Sequence, residues 1–297
     1  LSLVYCEGLP SSSFASLSHA PNFQVLGVGR TEFDTECLQY LEDMVHLRKL
    51  DLSDTNIVGD SQSWKTLMQH LPRLEELNLC GCGNIGNHGA IAGALYSTQG
   101  RLRVLHLRNC KLVDHDLNGI AALKNTLEVL DLAMNSNLTH DALVHCSDLV
   151  KLKKLRLRYC TSNNDLSPLK DCLNLEELCV PFCKGLTDDS FKVFSEEPNS
   201  FPNLRILNLS YCPKLTENVF EHLSKNNHLV YRLKELSVAG MYKILSSSAT
   251  ARNNIYQLKG LTKWIVKITL LYFRSQSRNL ISETYMISSS TQMTKGL

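Results

Sequence analysis

The sequence predicts an α/β solenoid: a curved horseshoe with a parallel β-sheet on its concave face and helices or short helical turns on its convex face. Three observations predict it. From Leu47 to Met241 one phrase recurs: leucine, two residues, leucine, one residue, leucine or valine, two residues, then a small polar or thiol residue. The copies follow one another at a nearly constant interval. Units this short cannot bury an apolar face alone, so neighbours must stack, strand beside strand and return behind return.

The copies are Leu47-Leu50-Leu52-Thr55, Leu74-Leu77-Leu79-Cys82, Leu102-Leu105-Leu107-Cys110, Leu127-Leu130-Leu132-Asn135, Leu152-Leu155-Leu157-Cys160, Leu175-Leu178-Val180-Cys183, Leu204-Leu207-Leu209-Cys212 and a weaker Leu233-Leu236-Val238-Met241. Phe23-Leu26-Val28-Thr31 is a degenerate copy upstream, here unit 1, so that Leu233 opens unit 9. Successive first leucines stand 27, 28, 25, 25, 23, 29 and 29 residues apart, inside the roughly 20 to 29 residue period of leucine-rich repeats.

Numbering each unit from its first residue, strand alternation sends positions 4 and 6 inward and positions 3, 5 and 7 to the concave surface. Position 9 turns back inside. It reads Thr31, Thr55, Cys82, Cys110, Asn135, Cys160, Cys183, Cys212 and Met241, side chains able to fill a turn and bond to backbone. The returns open on helix-capping residues, as in Leu138-Thr139-His140-Asp141, Leu186-Thr187-Asp188-Asp189 and Leu215-Thr216-Glu217. In the shortest unit Ser167 precedes Pro168, a cap and a first-turn proline, so its helix is expected to be brief.

Residues 23–245 are therefore expected to form the solenoid, about eight to nine units, with 1–22 a partial unit or flank and 246–297 a non-repeat tail or cap. Leu1, Leu3 and Cys6 read as remnants of a further unit entered midway. After Ser246 the phrase is not seen; the apolar run from Leu261 to Phe273 is broken by Lys263 and Lys267 and is too short for a membrane span of about 20 residues.

At 297 residues, 43% apolar and 20% charged, the chain suffices for one continuous core. The cysteine count of 11 is odd, and five lie in the inward column, which favours free thiols in a reducing cytoplasm or nucleus. The first 20 residues lack the basic start and apolar stretch of a signal peptide. A net charge of +2 with no extended basic stripe argues against nucleic acid.

Function is then expected on the concave face. Asp51, Asp54 and Glu76 make the early units acidic, whereas Arg108, Lys154, Arg156 and Arg158 make the middle basic. Tyr159, Phe182 and Tyr211 place aromatics at position 8 of three successive units. Rings beside guanidinium groups are the composition of protein-binding hot spots, and guanidinium grips carboxylate or phosphate bidentately. These seven residues are the candidate partner site, with an acidic or phosphorylated protein segment as its expected occupant. Two plainer readings stay open: position-8 aromatics as packing along the strand edge, and the lysines and arginines as a solvated edge.

Cys80 with Cys82 and Cys179 with Cys183 look like thiol pairs, yet within each pair one residue is inward and one concave, so a tetrahedral zinc site would break the repeat. His106, Asp131 and Cys179 share position 5, but His106 and Cys179 are three strands apart, roughly 14 Å, against the hydrogen-bond reach a nucleophile needs of its base. No cofactor-binding or catalytic motif is legible, and neither an enzyme nor a cofactor is expected.

The phrase at Leu175-Leu178-Val180-Cys183, with Leu186-Thr187-Asp188 after it, resembles the cysteine-containing leucine-rich repeats. That class includes F-box/leucine-rich-repeat proteins, related stand-alone repeat proteins of mitotic-exit control, and von Hippel–Lindau-box receptors; in several the repeats hold a substrate for a ubiquitin ligase. The resemblance spans roughly residues 23 to 241 and implies substrate recognition. No F-box is legible in the 22 residues before Phe23, so a ligase adaptor would be met only through a box outside this sequence. The stretch from Asn84 to Leu95 instead resembles the helical return of the ribonuclease-inhibitor and Ran-GTPase-activator class, which implies regulation of a GTPase or another enzyme.

Overall fold

A computed structural model describes residues 1–58, 61–83, 85–86, 90–98, 101–160, 165–241, 247–268 and 283–288. Within them one sheet carries the strands Val25–Gly27 (β1), Lys49–Asp51 (β2), Glu76–Asn78 (β3), Val104–His106 (β4), Val129–Asp131 (β5), Lys154–Arg156 (β6), Glu177–Cys179 (β7), Ile206–Asn208 (β8), Glu235–Ser237 (β9), Lys263–Ile268 (β10) and Glu283–Ser288 (β11). Their order in the sheet is their order in the chain. Each strand from β1 to β10 is parallel to the next, and β11 closes antiparallel on β10.

The leucines account for this order. Equal positions pair across neighbouring strands, so Leu50 faces Leu77, Leu77 faces Leu105, and so on to Leu207 beside Leu236. In units 2 to 9 every residue at positions 1, 4 and 6 is at most 3% exposed. The core is thus a ladder of aliphatic side chains one unit thick, and the α- and 3-10-helical returns close its other side.

The returns differ in their helices even at equal length: unit 4 carries the 3-10 helix Asp114–Leu123 and the equally long unit 5 an α-helix. The longer units 2 and 3 carry α-helices, Ser61–His70 and Ala90–Ser97. The 23-residue unit 6 has room only for one 3-10 turn, Ser167–Asp171, with Pro168 in its first turn. That helix is brief, as its length predicts, but it starts one residue early: Ser167 lies inside it and turns its hydroxyl to Asp165. Thr139 caps His140–Cys146 by accepting from the Asp141 N–H, and Asp114 in the preceding unit holds both the N–H and the hydroxyl of Thr139. Asp188 grips Thr216 in the same way, so returns are tied unit to unit as well as capped.

The ladder runs past both ends of the recurring phrase. Leu3 and Tyr5 donate to the carbonyls of Gly27 and Gly29, which places Leu1, Leu3 and Cys6 at positions 4, 6 and 9 of a unit before unit 1. At the other end Thr262 and Lys263 donate to Lys234 just as Lys234 and Glu235 donate to Arg205. Leu261, 28 residues after Leu233, therefore stands at a first position. Asn84 and residues 87–89 of the Asn84–Leu95 stretch lie outside the described residues, as do residues 269–273 of the Leu261–Phe273 run and much of residues 246–297. Among the described residues no helix is long and apolar enough to cross a membrane.

Candidate functional site

Each strand ends in the same manner. The position-8 residue has positive φ in all nine units: Arg30, Asp54, Gly81, Asn109, Met134, Tyr159, Phe182, Tyr211 and Gly240 lie between 53° and 87°. For a non-glycine residue this conformation costs about 1–2 kcal/mol. In return the ladder gains a rung, because the position-8 N–H donates to the position-7 carbonyl of the next unit; Tyr159 to Pro181 is 3.1 Å, Phe182 to Ser210 2.9 Å and Tyr211 to Ala239 2.7 Å. The left-handed residue also swings position 9 inward.

Position 9 then reaches back one unit. The thiols of Cys82, Cys110, Cys160, Cys183 and Cys212 lie 3.1, 3.0, 3.4, 3.0 and 3.2 Å from the position-6 carbonyl of the preceding unit. Asn135 does more. Its Nδ2 donates to Leu107 and Leu132, and its Oδ1 accepts from the N–H groups of Cys110 and Leu112. Burial pushes the Cys160 thiol up to about 12 and that of Cys212 to about 11, so this column is structural.

The concave row at position 5 divides in two. Asp51, Asn78, Asp131 and Asn208 each turn a side-chain oxygen to the position-7 N–H two residues on, at 2.9 to 3.1 Å. These side chains complete the strand end. His106, Arg156 and Cys179 make no such bond among the described residues, and Pro181, two residues after Cys179, has no N–H to receive one. The early acidic patch is neutralised as well, since Asp54 pairs with Arg30 at 3.1 Å and Glu76 with Lys49 at 2.7 Å. The partly exposed polar side chains of this row that are released from scaffold duty thus lie in units 4, 6 and 7, while Ser237 in unit 9 is buried.

The seven candidate residues lie in or beside these units. Lys154 and Arg156 both reach Glu177, at 3.5 and 3.4 Å, so the basic middle is partly paired. Glu177 was not singled out from sequence; it stands at position 3 of the next unit, where the pairing of β6 with β7 sets it directly beside Lys154. Arg158 instead lies over two rings, its guanidinium carbon 5.1 Å from the Tyr159 centroid and 4.9 Å from that of Phe182. Tyr159, Phe182 and Tyr211 form one stack, with 4.6 Å between centroids at both steps. That interval matches the roughly 4.8 Å strand spacing, so the repeat itself drives the stacking. Arg108 is exposed and lies off this stack, its Nε 3.3 Å from the Met134 sulfur.

Register places His106, Asp131, Arg156 and Cys179 on four successive strands, so His106 and Cys179 are three strands apart. Burial, reinforced by Glu177, pushes the Cys179 thiol up to about 12, the reverse of what activates a nucleophile. Cys82 and Cys183 are buried whereas Cys80 and Cys179 are half-buried on the concave side. Among the described residues no three His, Cys, Asp or Glu side chains converge as metal ligands.

The period, the burial of positions 1, 4, 6 and 9, and the strand-per-unit sheet make the chain a leucine-rich-repeat solenoid. No family model matches it. Among solved structures it is similar to internalin C2 from Listeria monocytogenes, with 27% identity, 68% of this chain and 76% of that chain covered, and a TM-score of 0.48. It is also similar to a chain in the yeast Rad7 and Elc1 complex, with 19% identity, 77% and 73% covered and a TM-score of 0.45. For an internalin F from Listeria monocytogenes the figures are 17%, 85%, 70% and 0.47.

Proposed function

We propose that the chain is a protein-recognition solenoid, the substrate-holding part of a ligase-receptor-like protein, and that its partner docks on the concave face and rim of units 4 to 8. The observation that carries this reading is the Arg158 guanidinium lying over the Tyr159 and Phe182 rings. The stack holds these rings rigid, so little side-chain freedom is lost when a partner covers them, and the cation keeps its N–H donors for a carboxylate or phosphate. Arg108 adds a second exposed cation. The resemblance to cysteine-containing leucine-rich repeats supports the substrate-holding role.

The test is affinity capture from cell extract with the full chain, wild type beside Arg158→Glu, with matched melting temperatures as a control. A specific partner that is lost with Arg158→Glu and carries ubiquitin in the extract supports the substrate-holding role. A specific partner lost with Arg158→Glu and free of ubiquitin supports recognition without a ligase. Partners that all survive Arg158→Glu together with Tyr159→Ala overturn the concave site.

A further inference from the structure

A second charged feature lies at the opposite end of the strands, where they begin. A groove of about 610 Å³ crosses units 2 to 6 there, lined by Arg48, Arg73, Arg101, Arg103, Lys151 and Lys153 against only two carboxylates, Glu75 and Glu128. The whole chain carries a formal charge of +2. The groove alone holds four more cations than carboxylates, so positive charge is concentrated in it.

Its carboxylates are already engaged. Arg48 pairs with Glu75 at 2.5 Å, while Arg103 and Lys153 hold the two oxygens of Glu128 at 2.6 and 2.8 Å. Hydrogen bonds from Lys153 and then Arg103 keep the Glu128 carboxyl below its ordinary range. The cations without a carboxylate partner are those just before the first leucine: Arg73, Arg101 and Lys151. Arg73 lies 3.0 Å from the His46 ring nitrogen. Arg101 and Lys151 are exposed, and neither has an ion-pair partner among the described residues.

Register sets their spacing. Glu76 pairs with Val104 and Arg103 donates to the Glu75 carbonyl, so Arg73 and Arg101, each just before its first leucine, occupy the same place in neighbouring units. Like charges so placed repel. One dianion between them removes the repulsion and receives bidentate donors from both sides, whereas a carboxylate brings one charge for two cations. A phosphate monoester carries about −1.5 to −2 and three acceptor oxygens. A continuous nucleic-acid backbone would run over Glu75 and Glu128, and a flat membrane surface does not enter a groove.

We infer that this groove is a phosphate-recognition site for a phosphorylated serine or threonine in a protein segment, with Arg73 and Arg101 as its donors and Lys151, two units further on, adding to the positive field. The inference rests on the protein-recognition reading above and adds a second anchor at the far edge of the sheet.

The probe is a labelled degenerate peptide library with a fixed central phosphoserine, compared by fluorescence anisotropy with the same library carrying serine and carrying glutamate. The full chain should prefer the phosphorylated library, and affinity should fall steeply with salt. Arg101→Ala with Lys151→Ala, both at exposed positions, should weaken that binding by at least about tenfold without lowering the melting temperature. Equal binding of the three libraries, or no loss in the double variant, overturns the inference. So does tighter binding of an oligouridylate or of phosphatidylserine vesicles. The two readings fail separately: Arg158→Glu addresses the concave site and leaves the groove intact, and the double variant does the converse.

Discussion

Positions 8 and 9 are consecutive in every unit, yet one column varies freely and the other scarcely varies. Position 8 admits arginine, aspartate, glycine, asparagine, methionine and three aromatics, all in one left-handed conformation. In units 1 to 9 position 9 admits only threonine, cysteine, asparagine and a final methionine, and is at most 6% exposed. The difference lies in what each side chain must satisfy. In units 3 to 8 position 9 meets a carbonyl of the previous unit, and in units 1 and 2 one of its own, in a dry interior where an unmade hydrogen bond costs about 1–3 kcal/mol. Position 8 is needed only for its backbone, and its side chain projects from the rim, open to selection for binding.

The largest effect that would break this contrast is expected at Asn135. Alanine there removes the partners of two buried N–H groups and two carbonyls, and the transition in denaturant should shift by about 3–5 kcal/mol. Asn135→Cys should recover part of that loss, because cysteine serves the carbonyl contact in the neighbouring units. If alanine and cysteine are equally damaging, the column is held by shape and not by hydrogen bonding.

Gly81 tests the other column at the next level. Its φ is +77°, and an added Cβ would fall within 3 Å of the Asp54 carboxylate. Gly81→Ala should therefore cost about 1–3 kcal/mol through left-handed strain and displacement of Asp54 from Arg30. At Tyr159 glycine and alanine should differ in the opposite sense from an ordinary strand. Both lose the ring, but glycine relieves the left-handed strain, so Tyr159→Gly should be more stable than Tyr159→Ala by about 1 kcal/mol. Both should lose the concave partner equally. Melting curves beside binding assays separate the two effects.

The inward columns were legible because burial imposes a strict period, and each leucine at positions 1, 4 and 6 sits where the spacing puts it. The concave face was legible only in part. Alternation treats Asp51 and Arg156 alike as outward, but Asp51 is committed to the N–H of Ser53, a local turn that depends on the left-handed residue following it. A listing by column also separates Arg156 from Glu177, which meet diagonally across neighbouring strands. The groove was missed because its unpaired cations precede the first leucine, outside the phrase that defines a unit. The recurrence of Arg73, Arg101 and Lys151 at that one offset was the signal.

The smallest expected effect concerns the ionic row at position 2, where pairing depends on charge and neither neighbouring explanation applies. Glu128 is held below its ordinary carboxyl value of 4.5 by Lys153 and Arg103. A carboxylate with a lowered folded-state pKa contributes stability above its unfolded value, and that contribution is lost as pH falls through and below about 4.5. Glu128→Gln should therefore flatten the acid side of the stability profile while leaving Asn135→Ala equally damaging at every pH. Half-exposed surface pairs contribute little, so the change should stay below about 1 kcal/mol. An acid-side slope that survives the substitution would place the titrating carboxyl elsewhere, with Glu221 beside Lys225 the next group to test.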